Sequence, residues 1–402
     1  MKQRIELKEA YSLFEEHIKP KTKIIKVSLH QALGKILAQD IFSTLDQPPF
    51  HKSAVDGYAF KYEESKGASR ENPVRFEVIE QVYAGHVASR TIQTGQAIQI
   101  MTGACVPDCC DCVIRLEDTN DSIEELEVYQ ECKYFDNICK KGEDFKEGDL
   151  LLKKGTKLDY ICLGILSSIG MDAVEIYEPV KIAFYTTGDE IQMPGTQLQP
   201  GKIYDSNYML LSNRLQSLGY PIEIHKHIVD DAKSCGALFK ESIQKYDFIL
   251  TTGAVSVGKK DIIHDALEYA GAEKIFWRVK LKPGTPAIFS MLEGKPILSL
   301  SGNPFAASCT FELLARYVLS ILSQDEALKV QPRKAILTNA FKKGSKQRRF
   351  VRAIYKEGKV MVPTGMHSPN ELGSMIGCNA LLDIPGGITP PQKNEEVTVW
   401  LL

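Results

Sequence analysis

No apolar run in this 402-residue sequence reaches the roughly 20 residues that cross a bilayer, the longest candidate being YICLGILSSIG at 160–170. The N-terminal stretch MKQRIELKEAYSLF is charged and reads as an amphipathic helix rather than a signal peptide, so a cytoplasmic location with no membrane attachment is expected. An excess of either charge is missing as well: 49 Lys and Arg face 51 Asp and Glu, a formal net charge of -2. The lysines are scattered apart from Lys19, Lys21, Lys23 and Lys26, which leaves no footprint for nucleic acid. The familiar phosphate-loop patterns G-x-x-x-x-G-K-[ST] and G-x-G-x-x-G are also absent. Even so, TTGAVSVGKKD at 251–261 has the composition of a loop that could hold a phosphate.

Cysteine, by contrast, is plentiful. Four of the ten fall in CVPDCCDC at 105–112, where Cys109 and Cys112 have the spacing of half a zinc site. The next two, Cys132 and Cys139, are too far apart to supply the second tight pair that a structural zinc site uses, so the cluster reads as small buried thiols and no metal is assigned to it.

A 44% hydrophobic content gives several domains material for their own cores. Residues 3–17 and 28–38 carry helical periodicity until DQPPF at 46–50 interrupts it. Short alternating runs punctuated by Gly and Pro follow, including FEVIEQVYAG, QAIQIMTGA, DCVIRLEDT and IEELEVYQ. Residues 46–146 therefore read as an all-β domain inserted into a linker formed by 1–45 and 147–177. Over 178–326 strands and helices alternate, which predicts a mainly parallel sheet covered on both faces. The short strands of 327–402 predict a β-barrel. The expected fold class is thus α/β plus β: an elongated multidomain chain with a three-layer α/β domain, an inserted β domain and a C-terminal barrel.

Three strands of the α/β region end in small glycine turns, YTTGDE, LTTGAVSVG and LSGNP. Ligands of open α/β sheets bind outside the carboxyl ends of strands, so these turns are expected to share one cleft. Gly253 and Gly258 permit close backbone approach, and Ser256 can donate to a phosphate oxygen. Gly302 and Asn303 lead into a helix whose first N–H groups can hold an anion, with Pro304 suited to its first turn. Asp261 serves equally as a helix N-cap or as a ligand for a divalent cation, and Asp189 with Glu190 are placed to bind one. In an extended WRVKLKPGTP, Arg278 and Lys282 share a face and both can neutralise an anion. RRFVRA puts Arg349 and Arg352 on a strand, and His225 with His227 lack a third metal ligand.

In order and spacing, PPFHKSAVDGYAF, IMTGACVPDC, KKGED, TTGDE, IYDSN, TTGAVSVGKKD, LKPGTP and LSGNPFAAS resemble the molybdopterin molybdenumtransferase family, MoeA, over nearly the whole chain. The resemblance implies an enzyme that inserts molybdate into adenylylated molybdopterin with release of AMP, assisted by Mg2+. It carries roles to Asp56, Thr102, Asp144, Glu190, Asp230, Asp261, Arg278 and Lys282. Glu190, Asp230 and Asp261 would hold the metal, with Asp56 also catalytic. Arg278 and Lys282 would face the pyrophosphate, and Arg352 with Ser368 would help to bind molybdate. A homodimer is implied, as is contact with the molybdopterin adenylyltransferase that supplies the substrate. An adenylyltransferase-like enzyme and a gephyrin-like scaffold are the alternative readings. The chain departs from the family at Ala254, Thr285 and Ser301, where Gly, Lys and Pro are usual, and Ala254 is expected to fit only with a negative φ.

Overall fold

A computed structural model of the chain describes residues 1–255, 262–365 and 368–402. It contains two compact units, one of residues 1–38, 157–159 and 174–402, the other of 39–156 and 160–173.

In the first unit, the unbroken runs IAFYTT and FILTT become strands Ile182–Thr187 and Phe248–Thr252, buried along their whole length. Strands with no exposed face belong at the centre of a covered sheet. They lie in a seven-stranded sheet in the order Lys2–Ile5, Glu273–Val279, Ile288–Leu292, Lys295–Leu300, Phe248–Thr252, Ile182–Thr187, Ile224–Ile228. Alternate side chains separate the two cores. Ile182, Phe184, Leu250 and Leu298 pack with helices Leu7–His17 and Ser206–Ser217, while Ala183, Tyr185, Ile249 and Ile297 pack with Ala232–Lys245 and Ile263–Ala270.

The sheet is mixed, because Ile288–Leu292 runs antiparallel to both neighbours. The first residues differ from expectation. Lys2–Ile5 is an edge strand, parallel to Glu273–Val279, and the helix begins only at Leu7. Pairing with a sheet edge overrides the local helical pattern there. The helical reading of 28–38 shrinks for the same kind of reason to a single turn, Leu29–Ala32.

Residues 304–323 form a helix with a π-helical turn at Phe311–Ala315. Among the described residues it is long and apolar enough to span a bilayer, yet 83% of that stretch is buried, which makes it a core helix. Its Glu312 carboxylate, 3% exposed, accepts from Arg214 at 2.6 Å and Arg316 at 2.8 Å, so the buried charge is matched on both sides.

The C-terminal strands close into a barrel. Arg348–Lys356 pairs with Lys359–Met361 and with Ala380–Ile384, around Leu337, Val351, Ala353, Val360, Leu382 and Val399. Leu281–Lys282 joins this sheet in parallel, with Lys282 beside Arg349. The stretch KIFWRVKL therefore contributes to two sheets, broken at Lys280 between strands Glu273–Val279 and Leu281–Lys282, and Arg278 just before the break takes a φ of +71°.

The second unit carries a five-stranded sheet in the order Cys112–Arg115, Gly57–Phe60, Gln96–Ile100, Val74–Val82, Glu125–Val128. Its core holds Tyr58, Phe60, Phe76, Ile98 and Val113. Helix Tyr160–Ser168 buries Leu166 alone and leaves Tyr160 78% and Ile161 54% exposed.

Candidate active site

At the carboxyl ends of the central strands lies a cavity of about 860 Å³. Backbone contact builds its floor. Gly253, at φ +100°, sits so close to Thr187 that a Cβ would run into the Thr187 carbonyl oxygen, and a Cβ on Gly302 would lie 3.3 Å from the Gly253 Cα. The expected convergence of three glycine turns is thus a physical contact between their backbones.

Glu190, Gly253, Lys282, Gly302 and Asn303 all line this space. The Glu190 carboxylate lies beside Gly188, where a Cβ would meet it at 2.8 Å. Lys282 is exposed and makes no side-chain hydrogen bond or ion pair to another described residue, so its charge is available to a ligand. Asp230 is half-buried beside the same turn: its N–H donates to Asp189 Oδ1 at 3.2 Å, and Asp189 N–H donates to Asp230 Oδ2 at 3.3 Å. Ser256, Gly258 and Asp261 fall outside the described residues.

Other expected residues lie elsewhere. Arg278 does not line the cavity; the break after its strand turns it away from Lys282, and its guanidinium stacks 4.2 Å from the centre of the Trp277 ring. Trp277 Nε1–H in turn donates to Val255 O at 3.3 Å, so Arg278 stands beside the start of the glycine loop. Arg352 is 1% exposed and donates to the carbonyls of Ser368 and Glu371, each at 2.6 Å, with its guanidinium over Phe305. It anchors the 368–371 loop rather than opening onto the cavity. Pro369 and Asn370, not Ser368, bring that loop to the cavity wall. The helix N-terminus is partly closed to anions, because Phe305 N–H donates to Pro369 O at 3.1 Å and Pro304 has no N–H.

Asp56, Thr102 and Asp144 belong to the second unit. Asp56 Oδ1 accepts from both Thr102 N–H, at 2.6 Å, and Thr102 Oγ1–H, at 2.7 Å, which joins two turns 46 residues apart. The backbone bond first, then the hydroxyl, hold the exposed Asp56 carboxyl below its ordinary range. Asp144 is an exposed turn residue whose N–H donates to Gln47 O at 3.0 Å.

Several cavity residues were not assigned to the site from the sequence. Asp205 caps helix Ser206–Ser217 through Tyr208 N–H at 2.9 Å and accepts from Thr186 Oγ1 at 2.6 Å. Asn207 donates to Gly302 O at 2.7 Å, which ties IYDSN to LSGNP. Thr285 lines the cavity with its hydroxyl donating to Leu281 O at 2.6 Å. Arg349 also lines it, whereas its neighbour Arg348 is held by Asp383. Residues 349 and 352 point to opposite faces of their strand, a signal that the spacing in RRFVRA contained. Ala254 has a φ of +50°, so the expectation of a negative value fails; the left-handed turn is kept although its glycine is not. His225 is packed against Tyr208 with ring centroids 3.8 Å apart, a structural role.

A glycine-floored cavity with one carboxylate wall and one cationic wall, on a sheet joined to a closed barrel, defines a protein built around an α/β ligand-binding domain. Comparison with known families specifies which. Residues 183–320 match the family described as "Probable molybdopterin binding domain", residues 5–170 the "MoeA N-terminal region (domain I and II)", and residues 334–402 the "MoeA C-terminal region (domain IV)". The chain is 33% identical to a molybdopterin molybdenumtransferase of Staphylococcus epidermidis over 387 residues, covering 95% of this chain and 92% of that protein. It is also 33% identical to one of Staphylococcus aureus over 368 residues, covering 90% and 87%. The crystal structure of a molybdopterin biosynthesis MoeA protein from Pyrococcus horikoshii superposes with a TM-score of 0.84 at 30% identity, covering 99% of each chain. The chain belongs to the MoeA family.

Proposed function

We propose that the protein is a molybdopterin molybdenumtransferase: it takes adenylylated molybdopterin and molybdate, releases AMP, and forms the molybdenum cofactor. Relatives of that name align with nearly the whole chain. The observation that carries the reading is the placement of Lys282, without a side-chain partner among the described residues, and Glu190 in one cavity floored by Gly253 and Gly302. Hydrolysis of a pyrophosphate bond builds negative charge on the departing AMP phosphate. A fixed ammonium group beside that charge lowers the barrier, and the glycine floor admits the phosphate chain close to the backbone. Asn207 and Asp205 hold the cavity wall rigid through Gly302 and Thr186, which limits the reorganisation needed on binding.

The acid side of the site is an all-oxygen donor set and suits Mg2+. Glu190 and Asp230 approach one strand end, and Asp261 is the third proposed ligand. Among the described residues no three His, Cys, Asp or Glu form a closed cluster, so this set depends on Asp261. Bound there, Mg2+ would neutralise phosphate charge and polarise the bond that breaks. Arg278 would act from beside the glycine loop. Asp56, set low by Thr102, is ionised at neutral pH and would orient substrate or water together with Thr102, and Asp144 would contribute to substrate binding. Molybdate would enter against Lys282 and the loop that Arg352 anchors through Ser368.

A homodimer fits the exposed apolar side chains of helix Tyr160–Ser168, and contact with a molybdopterin adenylyltransferase would supply the substrate. Ten free cysteines suit the reducing cytoplasm. The test is incubation of purified protein with adenylylated molybdopterin, Mg2+ and molybdate. AMP should appear well above a no-protein control, and a folded protein that releases none overturns the assignment.

A further inference from the structure

The cationic wall of the cavity carries more charge than Lys282 alone. Strands Leu281–Lys282 and Arg348–Lys356 pair in parallel with Lys282 directly beside Arg349, and side chains at paired positions of neighbouring strands project from the same face of a sheet. Both residues line the cavity. Arg349 begins the strand face that continues in Val351 and Ala353, which are buried in the barrel core, so it stands at the rim of that core and is half-buried, whereas Lys282 is exposed.

Two cations side by side repel each other, and a half-buried one has lost part of its hydration. Nothing among the described residues offsets these costs, because neither side chain makes a hydrogen bond or ion pair there. Arg348, one position earlier, shows the contrast: its guanidinium donates twice to Asp383, at 2.9 and 2.5 Å. Two acids line the cavity, and neither is paired with these cations. Asp205 accepts from Thr186 Oγ1 and Tyr208 N–H, and the Glu190 carboxylate lies beside Gly188. Thr285 is neutral, with its hydroxyl donated to Leu281 O.

We propose that Arg349 binds molybdate together with Lys282, a role that rests on the reading of the cavity as the site of molybdenum transfer. Molybdate is a tetrahedral ion with two negative charges on one centre. The pyrophosphate link of the adenylylated substrate instead carries one charge on each phosphorus, spread along a chain. Adjacent cations match the compact dianion better, and its binding relieves their repulsion as it neutralises its own charge. The guanidinium offers two parallel N–H donors that fix the ion's orientation, and the ammonium adds a point charge on a flexible stem. Arg349 is thus a binding residue, and no bond is made or broken at it.

The test is equilibrium dialysis of the folded full chain against molybdate alone, a readout that needs no turnover. Arg349→Gln should weaken binding at least about tenfold, and Arg349→Lys, which keeps the charge and loses the paired donors, should recover part of that loss. In the AMP-release assay Arg349→Gln should raise the KM for molybdate by a similar factor, with the KM for adenylylated molybdopterin and the thermal melt near those of wild type. Three results overturn the proposal: no molybdate bound by wild type, equal binding by wild type and Arg349→Gln, or a KM for adenylylated molybdopterin that rises at least as much as that for molybdate. If Arg349→Gln does not fold, Arg349→Lys decides, and binding equal to wild type overturns the proposal. Molybdate binding that depends on Arg349 in a protein that releases no AMP would overturn the transferase assignment and leave the oxyanion site standing.

Discussion

The cavity of the α/β domain and the Asp56–Thr102 turn of the β domain are fixed by opposite means. The cavity depends on atoms that are missing: Gly253 and Gly302 let three backbones meet, and a methyl group added at Gly253 has nowhere to go. The turn depends on atoms that are present: a single carboxylate oxygen receives a backbone and a hydroxyl donor at 2.6 and 2.7 Å. The first arrangement is intolerant of substitution because the obstacle is backbone. The second is open to solvent and tolerates a change of side chain as structure while losing its charge as chemistry.

The largest effect is expected where this contrast is pushed hardest. Gly253→Val should destabilise the protein by about 3 kcal/mol, read by chemical denaturation, and abolish AMP release, since both backbone conformation and space oppose the side chain. Asp56→Asn keeps the shape and the acceptor and removes only the charge, so AMP release should fall about hundredfold while the thermal melt drops only slightly. A collapse of stability in that variant would dissolve the distinction between the two regions. Lys282→Met should lower kcat/KM about tenfold or more without destabilisation, because the ammonium is exposed and has no partner to orphan among the described residues.

Acid titration sharpens the same comparison. The folded-state pKa of Asp56 is depressed, so its contribution to stability is fully present above the unfolded-state value and is lost as pH falls through the lower folded one. Wild type and Asp56→Asn should therefore differ in the pH dependence of unfolding only on the acid side. The smallest effect is a gain. Ala254→Gly relieves a left-handed alanine at φ +50° and should stabilise the protein by about 1 kcal/mol, measured as a raised midpoint of denaturation. No gain would mean that its surroundings absorb the strain.

Legibility in the sequence followed the range of the physics. Strands such as Ile182–Thr187 and Phe248–Thr252 show themselves as apolar runs ending in glycine, which is a local pattern. Glu190, Lys282, Gly302 and Asn303 were readable because each stands at the end of a strand or at a turn. Lys2–Ile5 escaped because an edge strand is decided by its neighbour. Arg278 was misplaced because the break that sends residues 273–279 and 281–282 into different sheets has no turn residue to mark it in EKIFWRVKLK. Arg352 looked like an anion ligand, but its surroundings offer carbonyls and an aromatic face.

By itself, then, the sequence determined the α/β alternation, the glycine turns at strand ends and the membership that their order declares, because these depend on residues near one another in the chain. The tertiary structure alone decided which charges face the cavity, that Asp56 meets Thr102, and that Asn207 meets Gly302. Each of those outcomes turns on a few ångströms between distant segments, a distance set by packing and strand register and by no local pattern.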